Sequence, residues 1–239
     1  MSQDWLHQIQ PRLEQVKQQI SVAAENSGRP PEAVQIVAIT KGQPVAAIQA
    51  AVTLGLDQIG ENRVEEALQK QEILNSSGIT WHMVGHIQSR KASDIPGHFL
   101  WVHSIDRMKI ADRINRFAME QDIRLSVLLE CNVSGEGSKG GWQLTDQATW
   151  SEFLPVLSDV LKFPGLDVKG LMTMAPWVQD EVVLRSTFQT LRTLREYLSD
   201  ALDHSFPELS MGMSDDYQIA VEEGATMVRL GRALFGART

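Results

Sequence analysis

The sequence is poor in cysteine and has no long apolar run. Cys131 is its single cysteine among 239 residues, so the chain cannot form an internal disulfide, which favours a reducing compartment. Charged and amide side chains interrupt residues 1–20, where a signal peptide would carry an apolar core. No segment approaches the roughly 20 apolar residues of a membrane helix. We therefore expect a cytoplasmic protein with no membrane partner.

Positive charge is also scarce. The chain has 22 Lys and Arg against 30 Asp and Glu, a formal net charge of -8, and no basic run. This balance argues against a nucleic-acid partner, because the phosphate backbone is bound mainly by clustered Lys and Arg. A hydrophobic content of 43% with 22% charged residues is typical of a globular protein. The composition indicates a globular domain that binds something small.

The apolar pattern predicts an α/β fold. Apolar residues at helical spacing indicate an N-terminal helix at about residues 4–27. Eight candidate strands follow, with helices between most of them, at residues 35–41, 57–60, 80–86, 100–103, 125–132, 167–173, 208–212 and 226–230. Eight parallel strands close a (β/α)8 TIM-type barrel. An open doubly wound sheet is the alternative, but it usually has a glycine-rich turn after its first strand, and none is present. No linker divides the chain, so we expect one domain over residues 1–239.

The first strand ends on a lysine. Strand alternation places Val37, Ile39 and Lys41 on one face, and the bulky pair suits a barrel interior. Lys41 would then point inward at the mouth, where a partly desolvated amine could attack a carbonyl. The alternative is a lysine that only ends the strand and extends to water.

The last two strands lead into loops of the kind that hold phosphate in many barrels. Ser214 follows strand seven, where it could cap a helix starting at Asp215 and bind an anion. Gly231 follows strand eight, allows close approach of a ligand to the backbone, and precedes a short helix from Arg232. An ordinary helix start and an ordinary turn are the alternative interpretations.

Arg229 shares one face of strand eight with Met227, so it points into the barrel if Met227 does. A buried arginine needs a partner, which could be a core acid such as Glu130 or a ligand. His82 and His86 share a face of a predicted strand, and His103 could join them, but we interpret these histidines as core or loop residues and not as a zinc site. Cys131 is interpreted as a small buried residue.

An inward lysine with a phosphate site suits two chemistries. One is Schiff-base aldol chemistry on a sugar phosphate. The other is binding of pyridoxal 5′-phosphate (PLP), whose aldehyde takes a lysine and whose ring nitrogen takes an Asp or Arg partner. The inward Arg229 favours the second.

Eight motifs in order resemble the pyridoxal-phosphate homeostasis protein family over nearly the whole chain. They are AITK (38–41), GENRVEE (60–66), WHMVG (81–85), HSID (103–106), NVS (132–134), GLMTMAP (170–176), LSMGMSDD (209–216) and VRLG (228–231). The resemblance implies a fold-type-III barrel like the N-terminal domain of alanine racemase, with PLP as cofactor. It also implies that this cofactor is held as an internal aldimine on Lys41.

The resemblance further implies phosphate contacts from Ser214 and Gly231, an Arg229 that faces the pyridine nitrogen, and Asn62 beside the cofactor. The family is thought to carry and buffer PLP for vitamin B6 homeostasis and to supply PLP-dependent apoenzymes, without substrate turnover. A monomer is expected.

A racemase-like fold-type-III enzyme acting on amino acids is the alternative. It would need a second acid–base group, a tyrosine from a C-terminal domain. This sequence ends at Thr239, and neither Tyr197 nor Tyr217 lies at a convincing strand end.

Overall fold

The computed structural model describes residues 2–75, 78–137 and 139–237. The strands in these ranges are β1 (Gln35–Ile39), β2 (Gln58–Glu61), β3 (Thr80–Met83), β4 (Trp101–Ile105), β5 (Leu125–Asn132), β6 (Trp142–Gln143), β7 (Leu166–Met172), β8 (Glu208–Ser210) and β9 (Met227–Leu230). The α-helices are α1 (Ser2–Asn26), α2 (Val45–Thr53), α3 (Val64–Leu74), α4 (Met108–Glu120), α5 (Trp150–Leu161), α6 (Glu181–Leu202), α7 (Tyr217–Glu222) and α8 (Arg232–Phe235).

Eight of these strands close into a parallel barrel. The order β1-β2-β3-β4-β5-β7-β8-β9 returns to β1 through the β1–β9 pairing. The two-residue β6 lies outside the ring, paired with the end of β5. The predicted (β/α)8 class is therefore confirmed, although β6 was not predicted, and the first and third strands end earlier than expected, at Ile39 and Met83.

Side-chain alternation along the strands divides the core into two parts. Val37 and Ile39 point into the barrel, where they pack with Met227 and other strand residues in a small interior cluster. Ala38 points outward into the larger core between strands and helices. The interior cluster is apolar, and the polar side chains described below share the same interior.

Helix α1 packs against α2, α7 and α8 on the outside of the barrel. Its buried face carries Ile9, Leu13, Val16 and Ile20, the apolar stripe seen in the sequence. Within the described ranges, no helix combines the length and apolar character needed to cross a membrane.

Strands β7 and β8 approach each other closely at Gly170, which pairs with Glu208. A Cβ atom at Gly170 would lie 1.9 Å from the carbonyl oxygen of Glu208, so only glycine fits there without moving a strand.

Candidate functional site

A cavity of about 330 Å³ lies at the carboxyl ends of the barrel strands. All five residues singled out in the sequence line it: Lys41, Asn62, Ser214, Arg229 and Gly231. Arg229 lies within β9, and the other four follow the ends of β1, β2, β8 and β9. Strands far apart in the chain therefore bring the five side chains or backbones to one place.

Lys41 enters this cavity from a turn. Strand β1 ends at Ile39, and Gly42 takes a φ of +71°, a left-handed conformation that favours glycine. The Lys41 side chain is half-buried and lines the cavity. Its amine has no hydrogen-bond or ion-pair partner among the described residues, so the structure leaves it free to react with a ligand.

Arg229 is buried and held by oxygen atoms of the barrel. Its Nη1 donates to the carbonyl oxygen of Ser210 at 2.8 Å and to its Oγ at 2.7 Å. Its Nη2 donates to the carbonyl oxygen of Thr173 at 2.8 Å. These bonds use three of the five N–H groups of the guanidinium. Within the described ranges no ion pair joins Arg229 to Glu130, so two N–H groups remain for a ligand.

Burial lowers the pKa of Arg229 to about 10, while the negative charges of Asp216 and Glu130 oppose this shift. The guanidinium therefore stays cationic at neutral pH. Burial, with the charge of Asp106, raises the pKa of Glu130 to about 7. In both groups, burial in the low-dielectric interior disfavours the charged form.

A buried hydrogen-bonded chain crosses the barrel below the cavity. His103 Nδ1 lies 2.9 Å from Ser210 Oγ, its Nε2 lies 2.9 Å from His82 Nδ1, and His82 Nε2 lies 3.0 Å from Gln58 Oε1. The Gln58 Oε1 oxygen can only accept, so His82 donates to Gln58. A neutral His82 then accepts from His103, a neutral His103 accepts from Ser210, and Ser210 accepts from Arg229. Both histidines are neutral in this arrangement, and every ring nitrogen has a partner.

These hydrogen bonds agree with the interpretation of His82 and His103 as core residues whose ring nitrogens have partners. No group of three His, Cys, Asp or Glu side chains suited to a metal occurs in the part of the chain that the structure describes. Sequence analysis missed Ser210 as the partner of Arg229. Strand alternation could have indicated the inward faces, but it does not tell which interior residues meet across a barrel.

The two loops predicted to hold phosphate are joined to each other. The hydroxyl of Ser214 accepts a hydrogen bond from the backbone N–H of Ala233 at 3.1 Å. Asp215 and Arg232 form an ion pair between the same loops. The two loops therefore form one continuous wall of the cavity.

The predicted capping role of Ser214 is wrong. Helix α7 begins at Tyr217, not at Asp215, and Asp216 is the residue before it. The carboxylate of Asp216 accepts the backbone N–H of Met213 at 2.5 Å and so closes the loop that carries Ser214. Because the loop turns before the helix starts, the Ser214 hydroxyl is directed to the neighbouring loop.

Gly231 lies where a side chain would fit without a steric clash. Its φ of -107° is open to any residue, and an added Cβ would meet only Ile39 atoms at 3.5 Å or more. Glycine is therefore required neither by backbone strain nor by packing. Because Gly231 lines the cavity, its missing side chain keeps room there for a ligand. With a free amine, a hydroxyl and a cationic donor around this space, the residues fit a small anionic ligand that carries a carbonyl group.

Asn62 stands where the cavity meets a second one, of about 600 Å³. Its position depends on Gly85, because a Cβ there would lie 2.2 Å from the carbonyl oxygen of Asn62. Trp177, at the rim, is 92% exposed. Sequence analysis did not single out Trp177, since a lone tryptophan in a loop carries no signal of a nearby cavity.

Fold and site together define an eight-stranded parallel α/β barrel with a candidate cofactor site at the carboxyl ends of its strands. Comparison with known families agrees: the sequence family "alanine racemase, N-terminal domain" matches residues 12–239. The chain belongs to this family and, within it, to the pyridoxal phosphate homeostasis proteins. Two such proteins illustrate the similarity. That of Pseudomonas aeruginosa is 42% identical over 231 residues, covering 96% of each chain, and that of Escherichia coli K12 is 38% identical over 240 residues, covering 98% of each.

Solved structures give the same result. PipY from Synechococcus elongatus, solved with PLP bound, is 34% identical, with a TM-score of 0.82, and covers 96% of this chain and 100% of its own. Alanine racemase from Clostridium difficile superposes with a TM-score of 0.74 at 14% identity, covering 97% of this chain but 57% of the racemase. The second likeness concerns the barrel fold alone.

Proposed function

We propose that this protein binds PLP in the cavity and carries and buffers it for vitamin B6 homeostasis. The observation that carries the proposal is the convergence of Lys41, Asn62, Ser214, Arg229 and Gly231 on one cavity, with the Lys41 amine unpartnered among the described residues. The names of the relatives and the PLP-bound structure of PipY support the same ligand.

Each residue has a part suited to this ligand. When bound, PLP supplies an aldehyde that reacts with amines and a ring that withdraws electrons. The Lys41 amine would bind the aldehyde carbon, and the free N–H groups of Arg229 would face the ring nitrogen. The Ser214 hydroxyl and the backbone at Gly231 would hold the phosphate, with Asn62 beside the ring.

We propose a carrier without substrate turnover. Arg229 stays cationic and can only donate, so it opposes protonation of the ring nitrogen and weakens the electron withdrawal of the ring. Tyr217 is buried and hydrogen-bonded to Gln19 on α1, and Tyr197 packs against Trp150. Neither tyrosine lines the cavity, so neither supplies the second acid–base group of a racemase.

The proposal extends to the state of the protein in the cell. We propose a cytoplasmic monomer that forms a single domain over residues 1–239 and passes PLP to dependent apoenzymes. The single cysteine supports a reducing compartment. A monomer would leave the cavity mouth, with the exposed Trp177 at its rim, open to an acceptor enzyme.

Borohydride reduction tests the central assignment. We expect the purified protein mixed with PLP to absorb visible light, and reduction followed by peptide mapping to place the pyridoxyl group on Lys41. Lys41→Ala should lose both the absorbance and the label. Labelling of Lys91 or Lys139 in the wild type would contradict the assignment. A sugar-phosphate aldolase would be colourless as purified and reducible only with its substrate present.

Incubation with amino acids separates a carrier from an enzyme. We expect the PLP-loaded protein to give no chiral product and no amine from L-alanine, L-serine or L-lysine beyond the rate of free PLP. The physical reason is the cationic Arg229 and the open mouth, which leaves water in the site. Turnover above the free-PLP rate that disappears in Lys41→Ala would establish an enzyme instead.

A further inference from the structure

A buried ionic cluster lies beneath the turn that carries Lys41. Lys70 on α3 is 6% exposed, and Glu61 at the end of β2 is fully buried. The Lys70 ammonium donates to Glu61 Oε1 at 2.6 Å and to Glu66 Oε1 at 2.7 Å. Burial raises the pKa of Glu61, and the hydrogen bond from Lys70 opposes this shift. Lysine is seldom buried to this degree, so its three polar partners need an explanation.

The cluster holds the residues on both sides of Lys41. Lys70 gives its third hydrogen bond to the carbonyl oxygen of Thr40, at 2.6 Å, and the Thr40 hydroxyl donates to Glu61 Oε1 at 2.6 Å. Beyond Lys41, the backbone N–H of Gly42 donates to Glu66 Oε1 at 2.6 Å. The side chain between these two anchored residues, that of Lys41, has no hydrogen-bond or ion-pair partner among the described residues.

A buried ionic cluster is weak evidence of a role in stability, because well-packed apolar residues of similar volume often stabilise a core equally or better. A cluster that fixes the backbone before and after a reactive amine has a geometric consequence that apolar residues would not give. We propose that Lys70, with Glu61 and Glu66, is a positioning group that fixes the Thr40–Gly42 backbone and so directs the Lys41 amine to the aldehyde of the ligand. This inference rests on the proposed function of Lys41.

The test compares two ligands that share a ring and a phosphate. PLP carries the aldehyde that Lys41 attacks, whereas pyridoxamine 5′-phosphate carries an amine and cannot bond to lysine. The first variant is the double substitution Glu61→Gln with Lys70→Met, which removes both buried charges and leaves neither one unpaired. The rate at which this variant forms the covalent linkage with excess PLP is measured from the rise in visible absorbance. Its affinity for pyridoxamine 5′-phosphate is measured by equilibrium titration.

We expect the linkage to Lys41 to form about 10- to 100-fold more slowly in the double variant, as misplacement of a reacting group by about 1 Å predicts. Affinity for pyridoxamine 5′-phosphate should stay within about twofold of the wild type, since Ser214, Gly231 and Arg229 lie on or after β8 and β9, away from the two substituted residues. An unchanged linkage rate would overturn the inference. So would an equal loss for both ligands, which would show general support of the pocket.

A second variant covers the case in which the double substitution does not fold. Glu66 is 28% exposed in its side chain, so Glu66→Ala should fold and should slow the linkage by releasing Gly42. Its matched control is Glu65→Ala, on the adjacent exposed residue, which should link at the wild-type rate. Equal rates in the two variants would overturn the inference. If the wild type forms no linkage on Lys41, the proposed function fails. If the wild type forms the linkage and the variants form it at the same rate, only the positioning role fails.

Discussion

At pH 5 the protein should be destabilised by about 2 kcal/mol, relative to pH 7.5, through His82 alone, and His103 should add to this loss. Burial lowers the pKa of His82 from 6.5 to about 3, and burial, with His82 and Arg229 nearby, lowers the pKa of His103 well below 6.5. Below pH 6.5, the unfolded chain binds protons on these histidines that the folded chain does not bind. The stability is therefore present above pH 6.5 and is lost as the pH falls, by about 2 kcal/mol for His82 at pH 5, with a loss in the same direction for His103.

Glu130 acts in the opposite direction over part of this range. Its pKa of about 7 in the fold lies above the ordinary value of 4.5, so the folded chain holds a proton there that the unfolded chain releases. This contribution is fully present below pH 4.5 and is lost as the pH rises through 7. The raw pH profile therefore combines both effects, and a variant is needed to isolate the histidines.

The substitution His82→Gln separates the contribution of His82 from that of Glu130. A glutamine can accept from His103 and donate to Gln58, which keeps the direction of the buried chain, but it cannot be protonated. Urea unfolding at pH 7.5 and pH 5 should show the stability of the wild type falling by about 2 kcal/mol relative to this variant. His7→Gln, on the exposed face of α1, should show no such change. A difference that is independent of pH would mean that His82 takes up a proton within the fold.

The fold was predictable because its signals are local. Val37, Ala38 and Ile39 alternate between the barrel interior and the outer core as their order in the sequence indicates. Eight such segments separated by helices suffice to indicate a barrel, whereas the two-residue β6 is too short to leave a pattern. Strand ends were less accurate, because the turn at Gly42 interrupts β1 before the apolar pattern does.

The candidate site was partly predictable for a topological reason. Residues that follow the strands of a parallel barrel meet at one end, so Lys41 and Ser214 could be placed near each other without knowledge of distances. Their partners could not. His103 bonds to Ser210 across the barrel, 107 residues away in the chain, and no local pattern encodes that pairing.

The burial of Lys70 is another feature that the sequence pattern does not indicate. In the sequence it stands four residues after Glu66, a spacing that on most helices indicates a solvent-exposed ion pair. Its burial follows from the packing of α3 over the ends of β1 and β2, where Thr40 and Glu61 supply further partners. The role inferred for it therefore depends on tertiary contacts that helical periodicity does not contain.

Ser214→Ala should weaken PLP binding by about tenfold or more, because a hydrogen bond to a charged group contributes on the order of 1.5–3 kcal/mol. Pyridoxal, which has no phosphate, should bind almost unchanged. Gly231→Ala should weaken PLP in the same selective way, since its methyl group would occupy space at the cavity wall while meeting no protein atom closer than 3.5 Å. Gly231→Ala should unfold at the wild-type temperature, and Ser214→Ala at a slightly lower one because it loses the hydrogen bond from Ala233. Equilibrium titration of each folded variant with the two ligands measures the effect.

Two matched substitutions control for the change in residue type. Gly137→Ala adds the same methyl group where no atom of the described residues outside its chain neighbours lies within 4 Å. Ser93→Ala removes an exposed hydroxyl that donates to Asp94. Both should bind PLP as the wild type does. If Ser214→Ala weakened PLP and pyridoxal equally, the hydroxyl would act on the ring or on the loop that carries it. The phosphate would then have to lie elsewhere along the cavity, away from the wall that Ser214 and Ala233 join.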